Sequence, residues 1–254
     1  MLCDSDVNYN QRTIRLTKTL KNGRADKWTI FLWGRHRGQG GCGVVAMTDM
    51  ELFLTQQNEG YKAPLQDIAY DKETGIISND DYMKYAEYNR DNIYYLGGNY
   101  VNKLIGVLPG SMEAGLAYYL RTNNHPYTNV KWAPYSEMFR YAKNQTALTI
   151  EDMIDRNIPV VFSYHTFDKN EYLHLYQNIV SAKALNNEKH QQAVSHYMTI
   201  VGYQKYIDET SMDYHYILKV VSLGDVYYVN YDEYAQKLSY VTNILSVGGR
   251  NAKS

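Results

Sequence analysis

An α+β fold is predicted by how the chain divides. Apolar residues recur at helical spacing in the first half, while alternating β-branched and aromatic runs crowd the second. That division predicts helices packed to one side of an antiparallel sheet. A third observation places chemistry within it: the loop Gly34–Gly41, with four glycines, runs into the first helix at Cys42.

The elements follow in order. Residues 1–25 read as an arm of strand or coil with a frayed Cys3, and 28–33 (WTIFLW) as a short aromatic, β-branched run. Ala46, Met50, Phe53 and Leu54 form one stripe, predicting a helix over 44–57 that Asn58 and Gly60 stop. A second helix is expected over 80–90 and a third over 111–121, after the turn Leu108-Pro109-Gly110. A short fourth is expected from a cap at Thr149 to Asn157, just before Pro159. Strands are then expected over 159–164, 196–206, 214–222 and 225–231, with a last run near 239–247. The turn Asp208–Ser211 makes a hairpin of two of them. We read one domain over 1–254, with a helix-rich part at 26–157 and a sheet-rich part at 158–250.

Composition excludes several function classes. The net charge is −1 with no long basic run, so nucleic acid is not an expected partner. No apolar stretch reaches the ~18–20 residues of a membrane span. The N-terminus has no apolar core of a secretory signal, and the compartment stays open. Two cysteines, Cys3 and Cys42, do not make a disulfide scaffold or a cysteine-built zinc site. No spacing demands a metal, and no cofactor is implied. Tyrosine is over-used, 27 residues against 5 Phe, which suits strands and wet, amphipathic surfaces.

Cys42 stands where a glycine loop becomes a helix. Unpaired N–H groups of a first helical turn favour negative charge, lower a thiol pKa and raise the thiolate population, which is the nucleophile. The Cys42 N–H can also face a developing oxyanion. The competing reading is a small buried hydrophobe. His196 opens an alternating strand, on the face of Met198 and Ile200. A near-neutral imidazole there can take the thiol proton and return it to a leaving group. Of the other six, His36, His125, His165, His174, His190 and His215, most are assigned to surfaces; His196 is preferred for its strand context and its order after Cys42.

Three ordered segments carry a family resemblance. Gln39-Gly40-Gly41-Cys42-Gly43-Val44-Val45-Ala46 resembles the nucleophile segment of papain-like cysteine peptidases, nearest the bacterial branch similar to bacteriocin-processing peptidases. Ser195–Tyr203 resembles that family's histidine strand, and Leu218–Gly224 with Tyr227-Tyr228 its Asn-Ser-Trp-Gly strand. The resemblance implies a papain-like fold, a helix-rich lobe with the nucleophile at a helix N-terminus packed on a sheet lobe. It implies Cys42 as nucleophile, His196 as base and a peptide or protein as substrate.

Two positions depart from the pattern. The expected orienting Asn falls at Val221, which has no polar side chain. A hairpin centred between 210 and 211 brings Ser222 and Asp225 within range of His196, and either could hold the imidazole. The family's oxyanion glutamine falls at His36, while Gln39 stands only three residues before Cys42; Gln39 is the preferred donor and His36 the fallback. A cell-wall amidase, a deamidase or an acyltransferase would use the same Cys–His pair. A peptidase-like binding protein without turnover is the reading from another class.

Overall fold

A computed structural model of the chain describes residues 3–5, 42–57, 79–90, 109–122, 129–132, 140–156, 158–165, 170–185, 190–193, 195–208, 210–222, 225–236 and 244–248. The run at 28–33 and residues Gln39 and His36 lie outside them.

The strands are β1 (Cys3–Ser5), β2 (Asn129–Trp132), β3 (Val160–His165), β4 (Leu173–Tyr176), β5 (His190–Ala193), β6 (Ser195–Ile207), β7 (Tyr214–Ser222), β8 (Asp225–Asn230) and β9 (Ile244–Gly248). Among the described residues they form one antiparallel sheet in the order β2-β9-β3-β6-β7-β8-β4-β5, with β1 also paired to β6. The helices are α1 (Cys42–Gln57), α2 (Asn79–Asn89), α3 (Pro109–Thr122), α4 (Arg140–Asp155), α5 (Ile179–Ala184) and α6 (Tyr231–Gln236). The α+β class stands, with strands in the positions the alternating runs predict.

Several expectations change. Cys3 does not fray: β1 pairs antiparallel with β6, Cys3 opposite Lys205. The fourth helix begins at Arg140, not at Thr149. Buried Ala147, Ile150 and Ile154 carry the helical period across Thr149, and packing overrides its capping preference. The strand expected to reach residue 231 ends at Asn230, whose Oδ1 accepts the N–H groups of Asp232 (2.9 Å) and Glu233 (3.2 Å) and caps α6. Several of the described tyrosines are core residues rather than surface ones. Among the largest fully buried side chains are Tyr82, Tyr85, Tyr164, Tyr176, Tyr231 and Tyr234. The interior must therefore supply polar partners, and Asp49, Glu51, Glu233 and the Ser163 carbonyl accept four of those hydroxyls.

Helices cover both faces of the sheet rather than one. Along β7, successive side chains alternate sides. Tyr216 donates to Glu151 of α4 at 2.8 Å, whereas Ile217 packs with Ala182 of α5 on the other side. Thr199, opposite Val221 and so on the Ile217 side, donates to the Ala46 carbonyl of α1 at 2.9 Å. That bond seats the helix carrying Cys42 on the strand carrying His196.

The β6–β7 hairpin sets the register of the site. Asp208 Oδ1 accepts the N–H groups of Thr210 (2.7 Å) and Ser211 (3.3 Å), which fixes the turn. From Ile207↔Tyr214 to Gly202↔Lys219 the pairs keep the register of a turn centred between 210 and 211. The ladder then slips by one residue between Gly202 and Ile200, a bulge at Val201, and its last pair is Thr199↔Val221. The slip keeps Ser222 on the side of His196.

Candidate thiol site

Cys42 is the first residue of α1, and the first turn of that helix holds no acidic residue to oppose the positive helix end. His196 is the second residue of β6, and Ser222 the last of β7. Cys42, His196 and Ser222 line one small half-open recess with Val45, Ala46, Asp49, Tyr197 and Val221. Val221 and Ser222 point to opposite sides of the sheet, so the recess lies around the end of β7. There no further strand separates the two faces, and a group from α1 meets groups from the α4 side.

His196 Nε2 lies 2.7 Å from Ser222 Oγ. This bond engages one ring nitrogen and leaves Nδ1 as the one able to face a thiol. Of the two candidates to hold the imidazole, Ser222 and Asp225, Ser222 makes a hydrogen bond to it. Asp225 opens β8 in register with Ser222, and its side chain lies outside the described residues. Val221 lines the recess without a hydrogen bond to offer. The oxyanion candidates Gln39 and His36 lie outside the described residues.

Electrostatics correct one expectation. The N–H groups of Gly43 and Cys42 at the helix tip, with that of Tyr197 across the recess, lower the Cys42 pKa as the sequence predicts. Burial is the larger effect, and the thiol ends above its ordinary value. Burial likewise pushes the His196 imidazole down to about 4. The resting pair is therefore a neutral thiol beside a neutral imidazole. Passing the proton from one to the other is unfavourable before any substrate contact, because burial disfavours both the thiolate and the imidazolium. A thiol attack here draws on general-base assistance during bond formation, not on a stored thiolate.

Sequence reasoning passed over two residues of the recess. Tyr197 supplies the N–H that bonds the sulfur. Asp49 is 3% exposed and lines the recess on the face of α1 shared by Cys42, Val45 and Ala46. The signal for Asp49 was an acid three residues after Ala46, inside the apolar stripe. Among the described residues no cluster of His, Cys, Asp and Glu could hold a metal, and no helix is long and apolar enough to cross a membrane.

Ser222→Ala is expected to lower catalytic efficiency by about five-fold, the worth of one orienting hydrogen bond near 1 kcal/mol. Steady-state kcat/KM of both forms measures it, and equal values would show that something else orients the ring. Comparison with known protein families, curated proteins and solved structures finds no match to this chain.

Proposed function

We propose that the chain is a papain-like cysteine hydrolase that cleaves amide bonds of peptides through Cys42 and His196. The observation that carries this reading is the shared recess. A cysteine at a helix N-terminus and a histidine at a strand start border one cavity, with the far nitrogen of the ring engaged by Ser222.

The chemistry follows from the neutral pair. As Sγ bonds to the substrate carbonyl carbon, its proton passes to His196 Nδ1, and Ser222 Oγ steadies the ring through Nε2. The carbonyl oxygen gains the negative charge and is met by the Cys42 N–H, with Gln39 as the side-chain donor of this reading. The C–N bond then breaks, His196 protonates the departing amine and a thioester remains. Water, deprotonated by the same imidazole, attacks the thioester and releases acid and thiol. No step calls for a cofactor.

A reading of another class is a peptidase-like binding protein without turnover. The burial-raised thiol and Val221 in the orienting position favour it. An epoxide-based cysteine-hydrolase probe separates the two. The hydrolase reading expects labelling of the wild type at Cys42 and none of Cys42→Ala. Equal labelling of both forms would remove Cys42 from the role, and an inert wild-type thiol would favour the binding protein.

A further inference from the structure

The floor of the recess holds an ionisable group that the hydrolytic cycle leaves unused. Asp49 Oδ1 accepts the Tyr82 hydroxyl at 3.1 Å. Its other oxygen has no hydrogen-bond partner among the described residues, although the side chain is almost fully buried and borders the recess. That oxygen is not sealed in the core, and Asp49 lines the recess beside Cys42 and His196.

We propose that Asp49 is a positioning residue of the thiol site, acting on Cys42 and His196 through the recess that the three share. The groups facing it are Tyr82 from α2 and, around the recess, Cys42, His196 and Tyr197; Glu51, which interacts with Tyr82, is a second acid nearby. None of these is a cation at neutral pH. Among the described residues of the recess, a charge on Asp49 therefore has nothing to neutralise it except what forms on His196 during attack.

Cys42 and Asp49 are two helical turns apart on one face, about 10 Å along the axis. Across a buried path that separation still carries roughly a tenfold effect on thiolate population. Burial pushes the Asp49 carboxyl up to about 8, so it is neutral at rest near pH 7 and gains its charge before the thiol ionises. In the alkaline range the Asp49 anion disfavours the Cys42 thiolate. It also favours an imidazolium on His196 whenever one forms.

The inference uses the proposed Cys42–His196 pair, yet its test needs no substrate and so fails separately from the hydrolase reading. The rate of Cys42 alkylation by iodoacetamide is followed from pH 6 to 10 in wild type, Asp49→Asn and Tyr82→Phe. The wild type is expected to show an inflection near pH 8 below the main thiol rise. Asp49→Asn loses it and reacts about tenfold faster at pH 9. Tyr82→Phe removes the hydrogen bond that lowers the Asp49 pKa, so its inflection moves to higher pH. Should Asp49→Asn fail to fold, the Tyr82→Phe shift alone decides. Superimposable profiles in the variants that fold overturn the proposal.

Discussion

His196→Ala is expected to reduce amide turnover by three to four orders of magnitude, about 4–5 kcal/mol of transition-state stabilisation. The size follows from the neutral resting pair. With the thiol held above its ordinary pKa, almost no thiolate stands ready at pH 7, and Asp49, the other ionisable group of the recess besides Tyr197, is mostly protonated there. Without the imidazole, attack waits for spontaneous ionisation of a half-buried thiol. The pH profile gives an independent reading. Because His196 is pushed down to about 4, the base is in its working form above that value, and kcat/KM should climb through pH 4 to a plateau before pH 6. A limb near 6.5 would mean the ring is solvated as in a free peptide. Turnover of a fluorogenic peptide amide that survives His196→Ala within tenfold would remove His196 from the mechanism. The same variant at pH 10, where hydroxide supplies the thiolate, should alkylate at nearly the wild-type rate, which separates loss of the base from loss of the fold.

The parts of this site visible in the sequence are those that local rules determine. β7 runs over Tyr214–Ser222 as its alternation predicts, because its apolar positions pack inward and Asp208 builds the turn before it. That turn sets the register of most of the hairpin, and the slip at Val201 then keeps Ser222 on the side of His196. Cys42 begins α1 because the apolar period starts where the glycines end. What local rules miss is decided by distant contacts. β4 and β5 pair with each other, yet the sequence of β5, HQQA, carries no alternating apolar signal; its partner makes it a strand. The Val201 bulge is a slip between two strands, absent from the periodicity of either. The direction of the Cys42 pKa depended on what covers the sulfur, and the helix tip alone suggested the wrong sign. Asp49 hid for a similar reason. An acid beside an apolar stripe reads as the edge of a wet face until a second helix, here α2 with Tyr82, closes over it.

Asp49→Asn is expected to stabilise the fold, and to do so more as pH rises. In the folded chain the Asp49 carboxyl keeps its proton up to about pH 8, whereas in the unfolded chain it gives the proton up near pH 4. Between those values the unfolded state binds fewer protons, so raising the pH favours unfolding. The contribution is present in full below pH 4 and is lost progressively up to pH 8, by about 4 kcal/mol allowing for relaxation around the site. Asparagine has no such proton to lose, and its amide oxygen can still accept the Tyr82 hydroxyl. For a chain of 254 residues the gain at pH 8 corresponds to a Tm higher by roughly 10 °C, shrinking to a few degrees at pH 5. The lowered pKa of His196 works in the opposite sense, destabilising the fold as pH falls from 6.5 towards 4, and it is common to both forms. It therefore cancels in the difference between their melting curves. A difference that stays constant with pH would mean the aspartate is ionised in the native fold and the recess is wetter than its lining suggests. If the difference grows with pH while alkylation quickens, one side chain is lowering stability and restraining the thiol together, as expected of a carboxyl set beneath a reactive pair rather than one that holds the core.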